Sequence, residues 1–263
     1  MLVAVARATE SRGGDVLVER VGGGVAIYAG VDSPYTKLAG LGFEPLDIEA
    51  LAAIERAFDL RGSKLQIEFS SLGDGPICCA LTGRGYQLTG FENVMGRTVE
   101  RGAPLSRCGI DVTLAEAGET EVWIDALVTG FEHPDVVDGP SLHESFSRET
   151  IDRALRGIRE VSGLRRYLAR LDGVVAGGGS MFIAGRVALL CGAATLPACR
   201  RRGVQTALLR RRLEDAAAAE CNMAVLTIAQ PGSKSQENAR RQGFELLYTR
   251  AVLARKPSSD HLR

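Results

Sequence analysis

Lysine is scarce in this chain of 263 residues: Lys37, Lys64, Lys234 and Lys256 are the four, which leaves 28 of the 32 basic residues as arginine. With abundant alanine and glycine, that bias reads as the codon usage of a GC-rich genome and carries no chemistry. Neither sign of charge is in excess, since Asp and Glu also number 32. Binding to nucleic acid or to an anionic membrane scales with the basic residues facing phosphate, so this balance argues against both partners. No apolar run approaches the about 20 residues of a membrane span. The opening MLVAVARATE has five apolar residues between Met1 and Arg7, short of the roughly 7 to 15 of a secretory core. A cytoplasmic location is expected. The cysteines, Cys78, Cys79, Cys108, Cys191, Cys199 and Cys221, are too dilute for a disulfide scaffold, and none forms a C-x2-C pair. Free thiols and no metal site are expected. Two phosphate motifs are missing as well: G-x-G-x-x-G is absent, and Gly232-Ser233-Lys234-Ser235 lacks the glycine before lysine that a P-loop requires.

What remains is an ordinary globular composition, 45% apolar and 24% charged with 31 glycines. The length allows one large or two small domains at about 150 residues each. From Leu2 to about Asp32, short apolar runs broken by Gly13-Gly14 and Gly22-Gly23-Gly24 predict strands and turns. Ile48, Leu51, Ala52, Ile54 and Ala57 recur near helical spacing, KLQIEFS alternates as a strand, and YQLTGFENVM predicts another. The stretch from about Arg101 to Gly118 mixes Gly, Pro and polar residues and is the expected domain connection. After it, Ile124, Leu127, Val128 and Phe131 share one helical face, and Ile151, Leu155, Ile158 and Val161 mark a second helix. Asp172-Gly173 between apolar runs is a strong hairpin signal. VALLCGAAT is a third strand, followed by a helix from about Val204 to Ala219, a strand AVLTIA, a short helix through Asn238 and a last strand from about Glu245.

A weak internal repeat lies across this pattern. Arg84-Gly85-Tyr86, Leu88 and Val94 stand 158 residues before Gln242-Gly243-Phe244, Leu246 and Val252. A duplicated strand, helix and strand would give this offset, and so would two unrelated helix ends closed by glycine.

The most informative stretch is TLPACRRRGVQTALLRRRL. A strand ends at Thr195 and a helix begins near Val204, so the first N–H groups of that helix are unpaired and carry partial positive charge. Arg200, Arg201 and Arg202 stand just before it and oppose the dipole. An external pyrophosphate would remove the conflict, with N–H donors from Arg202 to Thr206 and Gly203 permitting close approach. Arg210, Arg211 and Arg212 could extend a basic rim or form a solvated face.

Here the sequence resembles the GNAT superfamily of acyl-CoA N-acyltransferases. The family signature is Arg or Gln, two residues, Gly, one residue, then Gly or Ala, and Arg200-x-x-Gly203-x-Gln205 fits it except at Gln205. A backbone N–H donates whatever the side chain, so the departure leaves phosphate binding possible. The order of elements adds to the hexapeptide, and together they cover about Gly118 to Arg255. The resemblance implies an α/β fold, mixed in type, with a central splayed sheet flanked by helices. A smaller degenerate GNAT-like α/β unit would precede it. The implied domains are residues 1–105, residues 106–256 and a tail, 257–263.

The resemblance also implies acetyl-CoA as cosubstrate. Thr195 and Leu196 would pair with its pantetheine amides, Arg200, Arg201, Arg202, Gly203, Val204, Gln205 and Thr206 would hold the pyrophosphate, and Asn238 resembles a further cofactor contact. Many members place a tyrosine four residues before the Gly-Phe pair, able to protonate the leaving thiolate; Ala239 stands there in this chain. Tyr248 is the nearest replacement, although a strand tyrosine also serves as core. Glu132, His133, Asp135, His143 and Glu144 fall in the loop where this fold forms its acceptor site, with Glu132 the candidate base and a polar surface loop the plainer reading. Trp123 could line that pocket, but its helix favours the core. The N-terminal portion has no arginine-glycine loop, so a second GNAT-like unit there has lost its cofactor site. The expected function is direct acetyl transfer from acetyl-CoA to a primary amine, small molecule or peptide, in a ternary complex of a monomer or homodimer. The alternative is a non-catalytic acyl-CoA-binding regulatory module.

Overall fold

The computed structural model describes residues 1–100, 109–134 and 147–257. In chain order its elements begin with α1 (Leu2–Glu10), β1 (Leu17–Val21), β2 (Gly24–Tyr28), β3 (Lys37–Leu41), α2 (Ile48–Asp59), β4 (Leu65–Ser70), α3 (Gly75–Gly83) and β5 (Gln87–Thr98). They continue with β6 (Ile110–Leu114), α4 (Thr120–Glu132), α5 (Arg148–Ile158), β7 (Leu164–Leu171), β8 (Val174–Ala184) and β9 (Val187–Thr195). The last are α6 (Val204–Ala218), β10 (Met223–Ile228), α7 (Lys234–Arg241) and β11 (Glu245–Arg255). The described residues fall into two compact units, residues 1–93 with 248–257, and residues 94–100, 109–134 and 147–247.

In the first unit the strand order is β1-β2-β3-β4-β11-β5, with β3 and β4 parallel. One side chain set from α2, α3 and these strands forms its core, including Leu51, Phe58, Ile67, Leu81 and Tyr86. The opening segment corrects the sequence reading. Residues 2–10 are a helix, because five consecutive apolar residues have no period of their own and Val5 and Ala6 find burial on one helical face. The expected boundary at residue 105 lies outside the described residues. The units divide instead between Asn93 and Val94, and Tyr248–Arg255 joins the first because Arg250–Arg255 pairs with β4 from Ser70 to Leu65.

In the second unit the order is β5-β10-β9-β8-β7-β6, with helix α4 packed on β8 and β9 and α6 on β6 to β9. Trp123, Ile124, Leu127 and Val128 are buried as their spacing requires, whereas Phe131, in the last turn of α4, is exposed. The β7–β8 hairpin turns through Asp172 (φ 52°) and Gly173 (φ 81°), the two positive angles its sequence called for. Edge strand β6 was not foreseen. It is short and pairs with β7.

The offset of 158 extends beyond the residues that first suggested it. Strands β4 and β10 start at 65 and 223 and end at 70 and 228, and β5 and β11 start at 87 and 245. At the preceding turns Gly85 and Gly243 have φ of 86° and 77°. The next amides, Tyr86 N–H and Phe244 N–H, donate to Leu81 O and Ala239 O, each at 3.1 Å. The same helix, left-handed glycine, buried aromatic and strand are built twice.

Candidate functional site

The site grows from a fault in strand pairing within the second unit. Strands β9 and β10 are parallel and matched over three pairs only, Val187–Met223, Ala188–Ala224 and Leu189–Val225. Beyond Leu189 both strands continue and are no longer paired to one another. The departure coincides with a β-bulge: against β8, the register steps from Gly178–Ala194 to Ser180–Cys191, so Gly192 and Ala193 together oppose Gly179. Gly192 sits at φ 49°, the left-handed angle such a bulge demands. Glycine at 177 allows close packing there, since a Cβ would lie 2.5 Å from Ala194 O.

At the end of the open edge, Leu196 N–H donates to Ala176 O at 2.9 Å. Backbone groups of successive strand residues alternate in direction, so those of Thr195 face the edge that β10 has left. Of the two residues expected to pair with a ligand here, Thr195 therefore has its backbone turned outward and Leu196 has its amide committed to β8. The Thr195 hydroxyl is buried and has no hydrogen-bond partner among the described residues.

The loop that follows is shaped by two left-handed residues, Arg201 (φ 60°) and Gly203 (φ 87°). Gly203 is the N-cap of α6 and supplies no side-chain bond to its first N–H groups. By contrast α2, α5 and α7 are capped by Asp47, Ser147 and Ser233. An uncapped helix start beside an open strand edge is a combination that accepts an anion joined to a hydrogen-bonding chain. Arg202 lies 3.8 Å from Asp172, both exposed, a pair of little energetic weight. Arg200 turns the other way and donates to His133 O at the end of α4. Val204 is buried, Gln205 and Thr206 are half-buried, and Thr206 is bonded to Asn238. The second arginine cluster is not a rim: Arg210 donates to Gln242, Arg211 to Asp215 and Val112 O, and Arg212 is 2% exposed.

The remaining expected residues scatter. The Glu132 carboxylate pairs with Arg148 at 2.6 Å, joining the end of α4 to the start of α5. Asp135, His143 and Glu144 lie outside the described residues. Ala239 is buried at 1% exposure. Tyr248 belongs to the first unit, where its ring meets Phe43 edge-on at 5.7 Å and burial raises its pKa. Trp123 is fully buried, with Nε1 donating to Gly179 O at 3.1 Å.

Residues 132–244 match the model of the acetyltransferase (GNAT) family. The chain carries a GNAT domain. That domain contains the bulge, the open edge and the uncapped loop. Solved structures share the fold of the chain as a whole: a GCN5-related N-acetyltransferase from Kribbella flavida is 19% identical with TM-score 0.67, over 98% of this chain and 96% of that one. A tandem GNAT protein from the clavulanic acid biosynthesis pathway is 13% identical with TM-score 0.60, over 91% and 80%. A functionally unknown protein from Staphylococcus epidermidis is 10% identical with TM-score 0.61, over 93% and 94%. No curated protein matches the chain significantly in sequence. Among the described residues no helix is long and apolar enough to cross a membrane.

The first unit differs from the GNAT domain at the positions that matter. Its parallel strands β3 and β4 also shift register, at Gly40 (φ 84°), but resume pairing beyond it at Leu41 and Phe69, close to the ends of both. The start of α2 is filled by the Asp47 carboxylate, which accepts from Glu49 N–H and Ala50 N–H at 2.9 and 3.1 Å. An anion of the chain's own occupies the place where a ligand anion would bind.

Proposed function

We propose that the protein is an acetyl-CoA-dependent N-acetyltransferase that transfers the acetyl group directly to a primary amine in a ternary complex, with one acyl-CoA site per chain, in the GNAT domain. The observation that carries the reading is the open β9 edge at Thr195 leading into the uncapped start of α6. Thr195 backbone groups would pair with pantetheine amides, and the N–H groups of Gly203 to Thr206 would take the pyrophosphate, with Arg201 and Arg202 adding charge. Asn238, tied to Thr206, lies where it can support that turn. Transfer requires that the amine nitrogen bond to the acetyl carbon, that the carbon–sulfur bond break, and that the amine give up a proton while the thiolate gains one.

Glu132 is proposed to receive the amine proton. Tyr248, packed on Phe43 in the first unit, is not assigned to the thiolate. A fall in kcat with unchanged KM for acetyl-CoA in Glu132→Gln would support the role of Glu132; an unchanged kcat would remove it. Calorimetric titration of the full chain with acetyl-CoA tests the site, and screening of amines for release of free CoA tests the activity. Saturable one-to-one binding with CoA release supports the reading. Binding without release for any amine favours a regulatory module instead, consistent with Ala239 offering no proton donor, and absence of binding overturns the site.

A further inference from the structure

The edge at Thr195 exists because β9 leaves its neighbour at a bulge, and a bulge breaks the local ladder and leaves polar backbone groups in need of partners. Opposite the extra residue stands Gly179, which the β8–β9 register skips. Its carbonyl accepts from Trp123 Nε1 at 3.1 Å, and the next carbonyl, Ser180 O, accepts from Arg212 Nη1 at 3.0 Å. The two donors come from opposite faces of the sheet. A Cβ on Gly178 would meet Trp123 Cδ1 at 3.4 Å and one on Gly179 would meet Arg212 Cζ at 3.4 Å, and successive strand residues point to opposite faces.

Arg212 is an expensive way to satisfy a carbonyl. It is 2% exposed, its Nε donates to Leu208 O at 3.0 Å, and it forms no ion pair among the described residues. Burial pulls its pKa down to about 10. An apolar residue in its place would avoid the desolvation of a charge and leave the Ser180 carbonyl buried without its donor. The burial of this charge is thus tied to a carbonyl beside the bulge.

We propose that Trp123 and Arg212 are positioning residues for acyl-CoA: they hold the Gly179 and Ser180 carbonyls from two faces and so fix the β9 bulge in register, keeping the Thr195 edge open. An unpinned bulge can migrate along its strand. A slip of one residue would turn the Thr195 backbone groups toward β8 and present Leu196 in their place, because the direction of strand groups alternates with period two. This inference rests on the reading that acyl-CoA binds along that edge, and the test separates the two.

The full chain is compared with Trp123→Phe, Arg212→Met and Arg212→Lys by amide hydrogen exchange without ligand, by calorimetry with acetyl-CoA, and by KM and kcat with the best amine. Arg212→Met is expected to exchange at least tenfold faster over residues 191–196 and to bind acetyl-CoA about tenfold more weakly. Its thermal stability should fall, because the Ser180 carbonyl loses its donor, and KM for acetyl-CoA should rise while kcat moves less. Trp123→Phe should move the same way by a smaller factor, and Arg212→Lys should recover part of the loss, since an ammonium can still reach one carbonyl. Wild-type exchange over 191–196 in Trp123→Phe and Arg212→Met would overturn the pinning. Faster exchange with wild-type affinity would overturn its link to acyl-CoA. Should Arg212→Met fail to fold, Trp123→Phe and Arg212→Lys carry the same comparison. Should the wild-type chain bind no acetyl-CoA, the functional reading falls, and the exchange data still decide whether the bulge is pinned.

Discussion

The Thr206 hydroxyl donates to Asn238 Oδ1 at 2.9 Å, so the first turn of α6 and the body of α7 are joined side chain to side chain. The bond fixes the Asn238 carboxamide with its oxygen toward α6, and its nitrogen is left as a donor. Asn238→Asp keeps an acceptor for Thr206 and replaces that donor with negative charge. It should leave thermal stability near wild type and weaken acetyl-CoA binding by tenfold or more, measured by calorimetry. Asn238→Ala should cost about 1 kcal/mol of stability through the lost bond.

Gly203 is the second position where the fold and the ligand make separate demands. At φ 87° a side chain is strained by roughly 1 kcal/mol, although Asp tolerates left-handed backbone better than most residues. In Gly203→Asp the new carboxylate stands beside the first N–H groups of α6. Folding should survive, by circular dichroism and melting, and acetyl-CoA affinity should be lost because the anion site is filled. Retained affinity would remove the α6 start as the pyrophosphate site.

Asp47→Ala supplies the reciprocal experiment. Removing the cap of α2 should cost about 1 kcal/mol, within a usual range of about 0.5 to 2. The stoichiometry of acetyl-CoA should stay at one per chain, since β3 and β4 resume pairing beyond their bulge. A second site appearing in Asp47→Ala would show the first unit to be merely blocked.

Cys191, beside the bulge, has its thiol pushed up to about 11 by burial, from a reference of 9.0. At pH 8 about one molecule in a thousand then carries the thiolate, so iodoacetamide should modify the exposed Cys79 and spare Cys191. The sign for stability follows. Between pH 9 and about 11 the unfolded chain releases this proton and the folded chain keeps it, so stability falls as pH rises through that window. Denaturant titrations at pH 8 and 10.5 should show a smaller loss in Cys191→Ala than in wild type.

The parts of the fold that local chemistry dictates could be read from the sequence. Asp172-Gly173 announced its hairpin, and the strand-loop-helix order around Gly203 followed from turn and periodicity signals. Helix α1 could not be read, because LVAVA satisfies strand and helix patterns equally. Nor could β6, whose five residues gain their strand form from pairing with β7. At the site, the places of Thr195 at the end of β9 and Gly203 at the start of α6 were legible because they are element ends. Side-chain destinations were not, as Arg200 crossing to His133 O shows. A signal for Arg212 did exist in its spacing, four residues after Leu208 and eight after Val204, on the buried stripe of α6. Its guanidinium also needed Gly179, and a run of three glycines inside a strand is a sign of close approach.

Trp123 is the one tryptophan of the chain, and its indole N–H is bonded to the carbonyl of Gly179, the residue opposite the bulge. Indole emission responds to hydrogen bonding and to the polarity around the ring, and no second indole dilutes the signal. The molecule thus carries its own optical probe opposite the bulge, and binding of acetyl-CoA along the β9 edge is expected to change its emission in the unlabelled protein, in real time and at low concentration.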